Sequence, residues 1–245
     1  MSTAIRTHHL TLEAGARLCL IADIHSNLPA LEAVLAEVAS TSPILCMGDL
    51  TGYYLEPNEV CERLRSVSAI CIKGNHDKYV LEELNYPASR EEKYRVIANR
   101  LSLTAENRQW LAALPEAAQI EVLETGVGGR RHARIHIAHG SPRSVEEYIY
   151  PDTPIDFLET DEPETLVLGH THHPMTRQAG ALTVINPGSV GQARDRTPGA
   201  SYAMLEPFSG SLEFHRAIYD VAGYQRRLIE AGVRQSMVQI LSRSD

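Results

Sequence analysis

LCLIADIH (residues 18–25), ILCMGD (44–49) and AICIKGNHD (69–77) share one plan, a short apolar run that ends in a cluster of Asp, Asn, His and Gly. The runs Leu18–Ala22, Ile44–Met47 and Ala69–Ile72 have the length of buried strands, so the polar residues fall where a parallel sheet presents its strand ends. Ligands of open α/β sheets bind at that edge. Asp23 to Asp49 and Asp49 to Asn75 are each 26 residues apart (49 − 23 and 75 − 49). That is room for a strand, a crossover helix and two loops. Two successive βα units are implied, because parallel strands need a crossover of about a dozen residues or more.

Two further clusters follow in order, His139-Gly140 and Gly169-His170-Thr171-His172. Read singly, an Asp or His at a strand end is a turn or cap residue, and Asp49 before Gly52 is a natural turn former. As an ordered set they spell a two-metal site. A pair of divalent cations about 3.5–4 Å apart needs a ligand that bridges them, and a carboxylate does this best. Asp49 is the candidate bridge. One cation would take Asp23, His25 and His172, and the other Asn75, His139 and His170. Mixed carboxylate and imidazole ligation suits manganese, with iron, zinc or nickel as alternatives, better than calcium, which prefers oxygen alone. The two-residue spacings in Asp23-Ile24-His25 and His170-Thr171-His172 put both side chains of each pair on one face of an extended chain.

The pattern D-x-H, GD, GNH-D/E, H-G and GHTH, matched by Asp23/His25, Gly48-Asp49, Gly74-Asn75-His76-Asp77, His139-Gly140 and Gly169–His172, resembles the calcineurin-like metallophosphoesterases. Around it, Asp23–Leu31, Gly48–Asn58, His139–Arg143 and Asn186–Asp195 (NPGSVGQARD) resemble the small bacterial branch of that family, so the likeness covers most of the chain. The resemblance implies an α/β fold, a four-layer α-β-β-α sandwich of two mixed sheets, and hydrolysis of a phosphodiester or phosphomonoester. It also implies that His76 is the catalytic histidine. With two metals polarising the phosphoryl group and a water, His76 would protonate the leaving oxygen or stabilise charge, and Asp77 or another carboxylate would hold its second ring nitrogen. Asn75, Arg143 and Arg194 are the candidates for binding the substrate, the arginines as bidentate phosphate donors. Tyr53 and Tyr54 are candidates for the pocket wall. A nuclease of the same fold and a non-catalytic scaffold are the rival readings; a basic groove would mark the first and lost ligands the second.

Composition agrees. At 245 residues and 43% hydrophobic content the chain can bury a substantial core as a single domain, residues 1–245. The net charge of −8 argues against extended nucleic acid as a partner, and a small phosphoester is expected instead. Cys19, Cys46, Cys61 and Cys71 form no Cys-x-x-Cys pair and read as buried thiols of a reducing compartment, so a cytoplasmic location is expected. Met1–Ala16 has no apolar signal core, and no apolar stretch approaches the ~18 residues of a membrane span.

Between the motifs, Asn27 is expected to cap a helix with Pro29 in its first turn and Leu28, Leu31, Leu35 and Val38 as its apolar stripe. Ser89 and Glu92 form a capping box for a helix to about Leu101, and Thr104 starts another that Pro115 stops. Residues 78–115 would thus be a helical cap or flank beside the pocket. Later strands are expected at Gln119–Leu123, Ala133–Ala138, Ala200–Leu205 and Leu212–Arg216, and a closing helix at Tyr219–Ala231. The glycine turn Asn186–Gly191 reads as a structural turn rather than an anion loop. His8, His9, His132, His136, His173 and His215 are expected to play no part in the site, with His8 and His9 in a polar leader facing water.

Overall fold

The computed structural model describes residues 5–125 and 131–244, so the first four residues of the leader lie outside it. The chain runs β1 (Arg6–Glu13), β2 (Leu18–Ile21), α1 (Leu28–Glu37), β3 (Ile44–Cys46), α2 (Pro57–Ser66), β4 (Ile70–Cys71) and α3 (Asn75–Val80). It continues with α4 (Glu91–Tyr94), α5 (Val96–Ser102), α6 (Ala105–Ala113), β5 (Ala117–Thr125), β6 (Arg131–Ala138), β7 (Thr165–Val167), β8 (Pro174–Ala179) and β9 (Leu182–Pro187). The last elements are β10 (Ala200–Leu205), β11 (Leu212–Ala217), α7 (Val221–Glu230) and α8 (Gln235–Gln239).

Two mixed sheets result, one ordered β1-β5-β6-β7-β9-β8 and the other β11-β10-β2-β3-β4. The expected βα units are present, with β2, β3 and β4 parallel neighbours. β2 is buried along its whole length, and its period-two alternation explains why. Leu18 and Leu20 point to the other sheet, joining Leu45, Met47, Ile120, Ile135, Val167 and Ile185 in the central core. Cys19 and Ile21 point the other way, against Leu31 and Val34 of α1 and Val60 and Leu64 of α2. The outer face of the six-stranded sheet is covered by the segment after β6 rather than by long helices. Ile149, Ile155 and Leu158 of that segment pack on Leu166, Leu182 and Val184.

Most local expectations hold. Asn27 caps α1 by accepting from the Ala30 amide, Thr104 caps α6 by accepting from Asn107, and the four cysteines are buried and free. Three readings are corrected. His8 and His9 lie in β1, a parallel partner of β5 at the sheet edge, and His8 is half-buried; a polar alternating strand was taken for a leader. The helix expected from Ser89 to Leu101 is broken. Ser89 sits in a 3-10 turn, and Arg95, at φ 50°, separates α4 from α5. The Glu91 carboxylate, rather than Ser89, accepts the free amides of Ile97 and Ala98 at the start of α5. Among the described residues, no helix is long and apolar enough to cross a membrane.

Candidate metal centre

Each candidate ligand leaves the C-terminal edge of a strand and turns back over it. Five of them, Asp23, His25, Asp49, His170 and His172, have φ between 51° and 68°. Asp, Asn and His tolerate this left-handed region better than most residues, yet it still costs ~1–3 kcal/mol per residue and persists only where the surroundings enforce it. Here the strand-end loops are bonded to one another. The amide of Asp23 donates to the Gly48 carbonyl, that of His25 to Asp49, and that of Gly191 to Asp23. The turn Asn186–Gly191 is therefore structural, as expected. Its Ser189 hydroxyl also donates to the Asp23 carbonyl, and the Asn186 amide to that of Gly169.

The turns bring the seven candidates together in two groups. Donor atoms of Asp23, His25 and His172 lie within 4.8 Å of one another, as do those of Asp49, His139 and His170. Asn75 Oδ1 is 3.1 Å from His139 Nε2, which puts it with the second group. One oxygen, Asp49 Oδ2, is 3.6 Å from His25 Nε2 and 3.4 Å from His139 Nε2, so it faces both groups. The other, Asp49 Oδ1, accepts from the His76 amide at 2.8 Å.

The hydrogen bonds fix the ring tautomers. Nδ1 of His25, His139 and His172 lies 3.0, 2.7 and 2.7 Å from the carbonyls of Thr51, Met47 and Gln192. A carbonyl only accepts, so each Nδ1 carries a proton, and the neutral rings of His25 and His172 turn an Nε2 lone pair inward. His25 Nε2 and His172 Nε2 are 3.0 Å apart, two acceptors facing each other. Asp23 Oδ2 and His170 Nε2 are buried without any hydrogen-bond partner. Convergent lone pairs and orphaned acceptors fit divalent cations. A family model for the calcineurin-like phosphoesterase superfamily domain matches residues 17–209.

The chain belongs to that superfamily. It is 31% identical to a metallophosphoesterase from Sphaerobacter thermophilus whose crystal structure superposes with a TM-score of 0.75, over 94% of this chain and 99% of that one. It is also 31% identical to the uncharacterized protein MJ0912 of Methanocaldococcus jannaschii over 87% of this chain and 92% of the relative. Phosphodiesterase YfcE of Escherichia coli K12 is 29% identical over 78% and 87%. The superfamily works with divalent metals, and the chain is a metal-dependent phosphoester hydrolase with two His/Asp groups able to hold them.

Electrostatics in this phosphoesterase site favour a cation. Burial, reinforced by neighbouring Asp49, raises the Asp23 carboxyl; burial acts on Asp49 in the same sense, but His139 and His76 outweigh it and hold that carboxyl well below the usual range. Burial lowers His25 and His172 well below the ordinary imidazole value and His170 to about 3. His139 is the exception. Burial opposes its charge, yet Asp49 and Asp23 push it up to about 10, because its Nε2 lies 3.4 Å from the Asp49 carboxylate and 4.0 Å from that of Asp23.

A cavity of about 290 Å³ opens over the centre, lined by Asp49, Asn75, His76, His170, His172 and Arg194, with Tyr53, Tyr79, Tyr94, Tyr148, Arg90, Lys93 and Glu146 around them. His76 stacks on Tyr53 with centroids 4.8 Å apart, and its Nδ1 is enclosed without a partner, which leaves Nε2 for the cavity. Burial, opposed in part by Asp49, lowers His76 to about 4.

Two expected site residues lie elsewhere. Asp77 does not hold His76: its carboxylate accepts from the amides of Leu50, Thr51 and Gly74 and from the Thr51 hydroxyl. Arg143 is paired with Glu147 and stacked over Phe157 at 3.5 Å, outside the cavity. Arg194 does line it, donating to the Tyr53 hydroxyl at 3.0 Å and to Gln192. Of the tyrosines, Tyr53 lines the cavity, whereas Tyr54 is core, its hydroxyl donating to the Met237 carbonyl. Arg90, Lys93, Tyr94, Glu146 and Tyr148 also line the cavity but lie in stretches without a motif, so nothing local marked them. Tyr148 covers His170, ring centroids 3.9 Å apart.

Proposed function

We propose that this chain is a binuclear-metal phosphodiesterase acting on small substrates. The observation that carries the reading is the 3.0 Å approach of two unprotonated ring nitrogens, His25 Nε2 and His172 Nε2, beside an orphaned Asp23 oxygen. Asp23, His25 and His172 would hold one cation and Asn75, His139 and His170 the other, with Asp49 between them; manganese is the first candidate, then iron, zinc or nickel. Such a pair supplies Lewis-acid stabilisation of the phosphoryl oxygens and a water of lowered pKa.

The chain's own residues do the rest. Arg194, held by Tyr53 and Gln192, offers its guanidinium to a phosphoryl oxygen. His76 is neutral at pH 7, and an unpaired lone pair is cheaper to enclose than an unpaired N–H, so the proton resides on Nε2 rather than Nδ1. From there the neutral ring donates a hydrogen bond to the leaving oxygen and stabilises the charge that develops on it. Stacking on Tyr53 holds the ring in that orientation.

A diester is favoured because aromatic walls at Tyr94 and Tyr148 offer room for a second ester arm, and because a relative of 29% identity is a phosphodiesterase. The net charge of −8 disfavours the nuclease alternative, and retention of every candidate ligand disfavours the scaffold. The four buried thiols support a cytoplasmic setting, and the chain is read as one catalytic unit with residues 78–115 as its flank. The test compares kcat/KM for an aryl diester and an aryl monoester with the same leaving group in the manganese-loaded protein. The diester is expected to be at least as good. A monoester preference of about tenfold, worth ~1.4 kcal/mol, overturns the diester reading.

A further inference from the structure

Three cations line the cavity, Arg90, Lys93 and Arg194, and among the described residues none is ion-paired with a carboxylate. Elsewhere the basic residues of this acidic chain commonly have such partners: Arg65 pairs with Glu106, Arg100 and Arg108 with Glu82, and Arg227 with Glu56. Arg194 is anchored at the floor by Tyr53 and Gln192. Arg90 and Lys93 stand at the rim. Their charged groups lie 5.9 and 5.2 Å from the centroid of the Tyr94 ring, which fixes their side of the cavity without neutralising them.

The backbone around them is arranged at a cost. The local sequence favours one helix from Ser89 onward, but Arg95 takes a left-handed conformation at φ 50° and α4 ends at Tyr94. The Tyr94 carbonyl accepts from the Tyr53 amide at 2.7 Å, and its ring sits 5.0 Å from that of His76. The break therefore docks the turn that carries Arg90 and Lys93 against the catalytic floor. Strain of this kind, ~1–3 kcal/mol, concentrates at ligand clamps.

Charge counting then points to the ligand. The reacting phosphoryl group of a diester carries one negative charge, which the metal pair and Arg194 already meet. Glu146, also in the cavity wall, is bonded to the Tyr79 hydroxyl and to neither rim cation, so two further cations at the rim exceed that need. We propose that Arg90 and Lys93 bind a second anionic group, a phosphate on one ester arm, so that the substrate is a small phosphodiester bearing an additional phosphate. This rests on the phosphodiesterase reading above.

The p-nitrophenyl ester of thymidine 5′-phosphate, with and without a 3′-phosphate, provides the test. The two compounds share leaving group, sugar and base and differ only in the remote dianion. In the manganese-loaded full chain, kcat/KM is expected to favour the 3′-phosphorylated compound by about tenfold or more at low salt, and the ratio to shrink as ionic strength rises. In Arg90→Gln/Lys93→Gln the ratio falls towards 1, and Lys93→Glu also lowers it. A ratio of 1 or less in the unsubstituted protein, or one that the substitutions leave intact, overturns the clamp. Nitrophenolate release from neither compound instead overturns the phosphodiesterase reading, and the clamp with it.

Discussion

Gly74→Ala probes the candidate metal centre without touching a ligand. Gly74 has φ −95°, which any residue adopts, so what the position requires is space rather than torsional freedom. A Cβ there would lie 2.1 Å from Asp49 Oδ1 and 2.5 Å from the Asp49 amide nitrogen. An ordinary C···O approach is about 3.3 Å, so the carboxylate must retreat by roughly 1 Å. The same movement breaks the 2.8 Å bond from the His76 amide to Asp49 Oδ1. A 1 Å misplacement of catalytic machinery costs on the order of 10²-fold, or ~2.7 kcal/mol in the transition state. Overpacking costs a further ~1–3 kcal/mol of stability, which for a chain of this size lowers Tm by about 2–12 °C. The measurements are kcat/KM for an aryl diester at saturating manganese, bound metal per chain, and Tm. Activity within about threefold of the parent at full metal occupancy would refute the claim that Asp49 must sit where Gly74 lets it.

Chelation is expected to abolish turnover, and manganese to restore it better than calcium at a stoichiometry approaching two per chain; because metals bind the folded state, removing them should also lower Tm, by the equivalent of ~4 kcal/mol at a thousandfold excess over Kd. Undiminished activity in thoroughly demetallated protein would sink the metal assignment. His76→Gln should lose about 10²- to 10⁴-fold in kcat while both metals stay bound. The folded pKa of His76, about 4, lies below the unfolded value of ~6.5, so between those values the unfolded chain binds the extra proton and stability falls with falling pH; the substitution should flatten that slope by up to ~1.4 kcal/mol per pH unit in acid unfolding curves. Asp77→Ala should lower Tm, since it strips the acceptor from the amides of Leu50, Thr51 and Gly74. It should leave the pH–rate profile in place. A shifted profile at unchanged Tm would restore Asp77 as the partner of His76.

What the sequence disclosed depends on where the information resides. Strand, turn and ligand occur within one short window at Leu18–His25, Ile44–Asp49 and Ala69–His76, so strand positions and the convergence of Asp23, His25, Asp49 and Asn75 were legible. Sheet order brings His139 beside His170 and His172, because β6 and β7 are parallel neighbours in the other sheet. The wall of the cavity was not legible. Arg90 and Lys93 read as the exposed face of a continuous helix, whereas the break at Arg95 that turns them toward the site is accompanied by the tertiary bond from Tyr53 to Tyr94 and by the Glu91 cap on α5. Tyr148 lies in a segment with no periodicity, and nothing local marks its approach to His170. Arg143 failed for the opposite reason. It follows the His139-Gly140 motif closely, but Glu147 four residues on takes its charge.

Asp77 shows why adjacency in sequence misleads within an otherwise correct motif. Residues i and i+1 of a helix point about 100° apart, so a side chain next to His76 cannot share its face. Asp77 is the third residue of α3, the position whose carboxylate folds back on the helix start, and it does so by accepting from the Gly74 amide at 2.9 Å. Its remaining lone pairs take the amides of Leu50 and Thr51 and the Thr51 hydroxyl, tying the loop after Asp49 to the loop before Asn75. Asp49 and Asn75 would hold the same cation. Asp77 thereby fixes the spacing between two proposed ligands, and its demand for a carboxylate follows from three amide donors and a hydroxyl converging on a single buried side chain. The proposed hydrogen bond from His76 to the leaving oxygen makes no such demand.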